Sequence, residues 1–213
     1  MQKKETAKRV LLFLLAAAIL LFAAVAWFTE SKVADMQPIR IYSADSSKIT
    51  AELFHKTGME GEKELYTKVS RLECSNFLPG QTEKYKLVLT NADTLDYDVR
   101  VDFLEFSAED ERNLALCKAL RLEHLQADPA VQEGEQLSRD GTFAELYTLP
   151  TEPENTSFLF ANGISVRAMQ GDQPGVRTLF FEITLPGGSS NEYQNLRVKL
   201  SSIAVQTTLS QNG

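Results

Sequence analysis

The residues whose side chains could do chemistry are few and far apart. The chain contains two histidines, His55 and His124, and neither lies in an H-E-x-x-H motif. A catalytic zinc site needs three protein ligands and a water, so two distant histidines do not predict one. The sequence also lacks a nucleophile elbow and a phosphate-binding loop. We therefore predict no catalytic, cofactor-binding or metal-binding residues. We interpret His55 as a loop residue and His124 as lying on a helix or strand edge.

The two cysteines, Cys74 and Cys117, allow one disulfide bond at most. An exported protein could carry that bond, but two thiols are not a disulfide framework. We interpret both as unpaired, partly buried thiols. A reactive thiol at Cys117 would need a facing cation or a helix amino terminus, and the adjacent Lys118 would not face it on a helix.

The charged residues also lack a site-like pattern. The acidic group Glu109, Asp110 and Glu111 lacks the D-x-D-x-D-G spacing of a calcium loop, and acids in the first turn of a helix explain it equally well. The formal net charge is −7. Because an acidic protein repels phosphate, this charge argues against nucleic-acid binding.

The first residues have the pattern of an export leader. A basic segment precedes an almost wholly apolar run at 10–28, which contains an A-x-A site at Ala24 and Ala26. We predict that residues 1–26 are a signal peptide and that the mature chain begins near Trp27. The alternative is an uncleaved anchor that crosses the membrane through residues 10–28. In both cases the basic end stays inside and the body lies outside.

Alternation of apolar and polar residues predicts β-strands along most of the remaining chain. The clearest example is the stretch 76–106, where two alternating runs flank the turn-rich sequence NADTLD. We expect these runs to form one antiparallel hairpin. Its buried face would carry Tyr85, Leu87, Leu89, Tyr97, Val99, Val101 and Phe103.

Other segments show weaker strand patterns. The charged tract at 55–64 is interpreted as a loop or hairpin tip. Residues 157–167 are predicted as a strand pair or as one strand broken at Asn162-Gly163, and 193–207 as one long strand with a bulge at Ser201-Ser202. Further strands are predicted at 38–42, 48–54, 65–72 and 177–185.

One helix interrupts the strand pattern. Ser107 is its predicted N-cap, because acids and helix formers follow it. The sequence leaves the end of this helix open, either at a strand near Ala119 or at Gln126. The expected fold is mainly β: a jelly-roll-like antiparallel β-sandwich with one inserted helix, preceded by a hydrophobic signal or anchor helix. Its domains would be a flexible mature amino terminus at 27–37, a sandwich at 38–208 and a tail at 209–213.

Four short motifs occur in order along the chain: Ala26-Trp27-Phe28-Thr29-Glu30, Leu78-Pro79-Gly80-Gln81 followed by Asn91, Asn191-Glu192-Tyr193-Gln194-Asn195 and Ala204-Val205-Gln206. Together they resemble motifs of the TasA and camelysin-like family of exported proteins with a SipW-type signal peptide. The first resembles the junction cut by SipW-type signal peptidases, and the others resemble the family's hairpin, N-x-Y-Q-G and A-x-Q segments. Asn195 stands where the third motif has glycine, and no glycine follows Asn91.

The resemblance implies an exported protein of a Gram-positive-type bacterium, placed in the extracellular matrix or at the cell surface. It implies processing by a SipW-type signal peptidase and assembly with copies of itself or related matrix proteins by β-strand donation, as in biofilm fibres. Our candidate donor is the segment 27–42, and the alternative is that this segment folds back as the chain's own edge strand. Two further hypotheses remain at this stage, a secreted camelysin-like metalloprotease and a membrane-anchored surface-binding domain.

Overall fold

A computed structural model of the chain describes residues 39–43, 48–104, 106–108, 110–147, 157–200 and 202–210. The predicted leader, its cleavage residues Ala24, Ala26 and Trp27, and the predicted flexible segment 27–37 lie outside the described residues. So do the last three residues of the predicted tail. None of the helices in the described ranges is long and apolar enough to cross a membrane.

The described residues form fourteen strands, so the mainly-β class is confirmed. The strands are β1 (Ile39–Ser43), β2 (Ile49–Glu60), β3 (Lys63–Val69), β4 (Glu73–Ser75), β5 (Thr82–Asn91), β6 (Tyr97–Leu104), β7 (Phe106–Ala108), β8 (Arg121–Asp128), β9 (Gln136–Leu137), β10 (Gly141–Thr142), β11 (Ser157–Val166), β12 (Gly175–Thr184), β13 (Arg197–Leu200) and β14 (Ile203–Leu209).

These strands make three sheets. One sheet has the order β1-β14-β6-β11-β9, a second has the order β10-β8-β12-β5-β2-β3, and a small third sheet has the order β4-β13-β7. Their pairings are antiparallel, as predicted, except that β1 lies parallel to β14.

The five-stranded and six-stranded sheets meet through aromatic side chains. Phe103 and Phe160 stack on each other in the five-stranded sheet, with ring centroids 4.5 Å apart. Both rings also contact Phe181 of β12 edge to face, at 5.5 Å and 5.1 Å. All three side chains are buried, and each such burial stabilises the fold by about 1.5–3 kcal/mol. Hydrophobic burial between the sheets therefore accounts for the alternation seen in the sequence.

The predicted hairpin at 76–106 is wrong in its pairing, although both of its strands exist. β5 pairs with β2 and β12 in the six-stranded sheet, whereas β6 pairs with β14 and β11 in the five-stranded sheet. The turn between them carries the chain from one sheet to the other. Alternation reports which side chains are buried, and two strands that face each other across a core bury the same residues as two neighbours in one sheet.

The predicted single strand at 193–207 is also wrong. β13 belongs to the three-stranded sheet and β14 to the five-stranded sheet, so the chain changes sheet between them. Ser202 is buried there, and its carbonyl accepts a hydrogen bond from the Leu104 amide at 2.9 Å. The one-residue shift of apolar phase therefore marks a change of sheet rather than a bulge.

The predicted helix is confirmed, but its N-cap is wrong. Helix α1 spans Glu111–Ala119, and the carboxylate of Asp110 caps it by accepting from the Asn113 amide at 2.8 Å. Ser107 instead lies in β7. Because β8 follows at Arg121, the continuous helix to Gln126 is excluded. A second helix, α2 (Phe143–Leu146), begins with a capping box. The prediction of one helix is therefore wrong.

The structure also decides between the alternatives predicted for residues 55–64 and for residues 157–167. Of the two interpretations of 55–64, the hairpin tip is confirmed and the loop is wrong, because β2 continues to Glu60 and turns at Gly61 into β3, with which it pairs antiparallel. Gly61 has φ 60°, the left-handed conformation that favours glycine. His55 therefore lies on a strand and not in a loop. Residues 157–166 form one strand, and its register against β6 shifts on either side of Ala161.

Candidate interaction edges

The residues named from the resemblance lie at turns and strand ends. In the Pro79-Gly80 turn, Gly80 has φ 83° and donates its amide hydrogen to the Leu185 carbonyl at 2.7 Å. The side-chain oxygen of Gln81 accepts from the Leu78 amide at 3.0 Å. These bonds tie the entrance of β5 to the end of β12, so the turn fixes where the central strand begins.

Asn91 is fully buried where the chain leaves the six-stranded sheet. Its amide nitrogen donates to the carbonyls of Leu95, Val166 and Arg167 at 2.8, 3.2 and 3.0 Å. Its oxygen accepts from the Asp93 amide at 2.8 Å. One side chain thus satisfies the backbone of the crossing and of the end of β11, which makes Asn91 a structural residue.

The Asn191 and Tyr193 motif forms a short 3-10 helix, Asn191–Tyr193, and the amide of Gln194 closes it on the Asn191 carbonyl at 3.2 Å. Asn195 follows with φ 64°. Asparagine adopts this left-handed conformation more readily than most residues, so Asn195 can occupy the position that is glycine in the resembled motif. Gln206 lies exposed on β14, in register with Tyr42 of β1 and Arg100 of β6.

One edge of the five-stranded sheet is formed by β1. This strand pairs with β14 over five residues, from Ile39 opposite Ile203 to Ser43 opposite Thr207. Ile39 is half-buried against the core, whereas the Ile41 side chain is 39% exposed. No described strand pairs with the other side of β1. The strand therefore presents one unpaired row of backbone groups, which is a template for strand addition.

The six-stranded sheet ends at β3, and charges surround this edge. Lys68 contacts Glu52 at 2.5 Å, and Lys56 contacts Glu64 at 2.7 Å. Leu65 is 38% exposed between them. Charged side chains along an edge strand oppose uncontrolled pairing, because a second strand would have to desolvate them. The β1 edge, rather than the β3 edge, is therefore the stronger candidate for association.

The two histidines lie on opposite faces of the six-stranded sheet. His55 contacts Glu83 at 2.6 Å and stacks on the buried Tyr85, with centroids 4.8 Å apart. His124 contacts Glu182 at 2.9 Å. Phe181, stacked on Tyr85, and its neighbour Glu182 point to opposite faces of β12. The sheet therefore separates the two imidazoles, which cannot reach one metal ion together.

His124 has a backbone conformation that the sequence does not reveal. Its φ is 54°, and it lies where the register between β8 and β12 shifts by a bulge. The hydrogen bond to Glu182 raises the pKa of His124, and the negative charge of Glu182 adds to this effect. Lys84 also contacts Glu182, at 2.8 Å. The Glu182 carboxylate is thus shared by Lys84 and the imidazole of His124.

Other potentially reactive groups form no centre in the described part of the chain. There, no three histidine, cysteine, aspartate or glutamate side chains are placed to hold a metal ion. Cys74 and Cys117 are free and fully buried, rather than partly buried as predicted. Burial raises the pKa of Cys117 to about 12 and raises that of Cys74 further, so neither is a thiolate near neutral pH.

The sequence interpretation missed one buried ion pair. Arg177 of β12 and Glu135 are both buried, and Arg177 Nη2 donates to Glu135 Oε2. A signal for Arg177 existed, because it lies in phase with Leu179 and Phe181, whose side chains face the core. Glu135 lies in an irregular segment and gives no such signal.

The fold and its edges define a mainly-β protein built from antiparallel sheets with one parallel edge strand. Comparison with protein-family models, with curated proteins and with solved structures gives no match to this chain.

Proposed function

We propose that this chain is an exported structural or interaction protein of a bacterial extracellular matrix or cell surface. It would be processed by a SipW-type signal peptidase and associate with copies of itself or with related matrix proteins. The proposal includes a jelly-roll-like sandwich as its body. Its support is the ordered set of TasA- and camelysin-like motifs together with the properties of the β1 edge.

The observation that carries the proposal is the position of β1. This strand comes first among the described elements, lies at the edge of its sheet and is five residues long. Its backbone pairs with β14, and Ile39 packs partly buried against the core. A short terminal edge strand can leave its sheet without disrupting the strands that remain.

Exchange of β1 between copies is the mechanism that we infer. If the strand leaves β14, the groove beside β14 can accept the same segment from a second copy in the same parallel register. The contacts broken and formed are then identical, so the balance depends on chain entropy and protein concentration. Because each copy gives one strand and receives one, repeated exchange in one direction produces a fibre.

Deletion of the strand tests this mechanism. We compare a chain that begins at residue 27 with one that begins at residue 44, using electron microscopy and light scattering at matched concentration. Only the longer chain should assemble. The shorter chain should bind a fluorescent peptide of residues 37–43, and the longer one should bind it weakly because its groove is filled.

Point variants separate loss of the donor from loss of folding. Ile39→Lys should prevent assembly while circular dichroism retains the β signal, because only a half-buried edge side chain is changed. Leu65→Lys on β3, an edge strand of the six-stranded sheet, is the matched control and should assemble normally. Normal fibres from Ile39→Lys, or from the chain that begins at residue 44, would refute strand exchange.

A further inference from the structure

A cleft of about 310 Å³ opens beside the first residues of β12. One wall is the segment that comes after β8 in the chain and includes Pro129 and Gln132. The other wall is the connection between β11 and β12. Arg177 lines the cleft as well. This volume lies at the small end of the range of ligand pockets in proteins, so any ligand that fills the cleft must be small.

The Arg177–Glu135 ion pair fixes one side of the cleft. Glu135 Oε1 accepts from the Ser165 amide at 2.9 Å, and Oε2 accepts from the Gln132 amide at 2.8 Å. Arg177 Nη2 also donates to the Ala130 carbonyl at 3.2 Å. The pair has no net charge, and its bonds join three separate segments. The cleft is thus preformed on buried, hydrogen-bonded residues.

A tight turn holds two glutamines on the other wall. The backbones of Gln170 and Gln173 exchange two hydrogen bonds of 2.8 and 3.1 Å, and Gly171 within the turn has φ 60°. Gly175 lets the two ends of the connection cross closely, since a Cβ there would lie 1.9 Å from the Arg167 carbonyl oxygen. Both glutamines line the cleft, and the turn constrains their backbone.

Arg167 supplies the unbalanced charge. Arg167 is exposed and lines the cleft, and its guanidinium forms no ion pair with any residue in the described ranges. Glu135 neutralises the nearby Arg177, so Arg167 is the one unpaired cation among the lining residues, which also include three glutamines and Ser165. A guanidinium binds a carboxylate through two parallel hydrogen bonds, and glutamine amides bind hydroxyl groups.

We propose that this cleft binds a small monocarboxylate that also carries hydroxyl groups, such as a sugar acid. Arg167 would pair with the carboxylate, while Gln170, Gln173 and Ser165 would bond the hydroxyls. A single positive charge matches a single negative one. A dianion such as phosphate would leave charge unpaired on a protein whose formal net charge is already −7.

Isothermal titration calorimetry of the full-length chain in mild detergent tests this assignment. Galacturonate is the test ligand, galactose is its neutral match, and inorganic phosphate is the competing anion. We expect heat and saturation with galacturonate and at least tenfold weaker binding of both others. Arg167→Gln should weaken galacturonate binding about tenfold or more, because a charge-assisted pair is lost.

Arg139→Gln is the matched control, since Arg139 is an exposed arginine outside the cleft. It should bind galacturonate like the unchanged chain. Absence of binding, equal binding of galactose or phosphate, or an unaffected Arg167→Gln variant would each overturn the assignment. The proposal does not depend on strand exchange, because the cleft shares no residue with β1 or β14.

Discussion

Replacement of Glu135 by alanine should destabilise the protein strongly. The change would leave the Arg177 guanidinium, whose side chain is 4% exposed, without its counter-charge. It would also remove the acceptor of the Ser165 and Gln132 amides. Breaking a buried ion pair from one side costs about 3–5 kcal/mol. That is a large part of the 5–15 kcal/mol that typically stabilises a domain.

Urea denaturation followed by circular dichroism measures this loss. In thermal unfolding of a domain of this size, the melting temperature should fall by roughly 6–20 °C, at about 2–4 °C per kcal/mol. Arg177→Met alone should cost a similar amount, because Glu135 would then be the unpaired buried charge. The double variant Glu135→Ala with Arg177→Met should cost clearly less than the two single changes together, because it leaves no charge unpaired.

An exposed ion pair provides the control for this cycle. Lys68→Met breaks the contact with Glu52, where both side chains are well exposed, and should cost less than about 1 kcal/mol. A Glu135→Ala variant that loses no more than this control would refute the reasoning. Strictly additive losses in the double variant would also refute it, since they would mean that the two charges do not act as a pair.

Two further predictions concern single side chains. Glu182→Gln should lower the raised pKa of His124 towards its ordinary value, as followed by nuclear magnetic resonance titration of the two histidines. Because the folded state favours protonated His124, its stabilising effect should be complete below the unfolded pKa of about 6.5 and vanish as the pH rises through the raised folded value. Asn91→Ala should cost about 2–4 kcal/mol in urea denaturation, because it leaves buried carbonyls and an amide without partners. Thr90→Ala, on the opposite face of β5, should cost about 0.5 kcal/mol or less.

Each of these outcomes has a clear contrary result. An unchanged His124 titration in Glu182→Gln would show that the carboxylate does not determine the pKa of the imidazole. Equal stabilities of Asn91→Ala and Thr90→Ala would show that the backbone around the crossing is satisfied without the Asn91 side chain.

The sequence predicted which side chains are buried much better than which strands are neighbours. Alternation in β5 and β6 located both strands and their inward faces, because burial selects apolar residues at every second position. It could not assign their partners, since pairing is made by backbone groups that every residue carries. The change of sheet between β13 and β14 could not be predicted for the same reason. A shift of apolar phase is produced equally by a bulge and by a new sheet.

The polar residues of interest were harder to find. The position of Arg177 in an apolar phase marked it as inward-facing, but its partner Glu135 lies in an irregular segment far away in sequence. The positive φ of His124 depends on a bulge against β12, and nothing local in the sequence specifies that bulge. Tertiary contacts, rather than local propensity, place each of these side chains.

The insertion of β14 between β1 and β6 affects how the protein is made. Synthesis proceeds from the amino terminus, so both flanking strands emerge before the strand that joins them. Until β14 has been made, β1 lacks the strand with which it pairs, and β1 and β6 have no strand to join them. This sheet is therefore completed late in folding. Before that point, a newly made chain is most open to strand pairing with another copy.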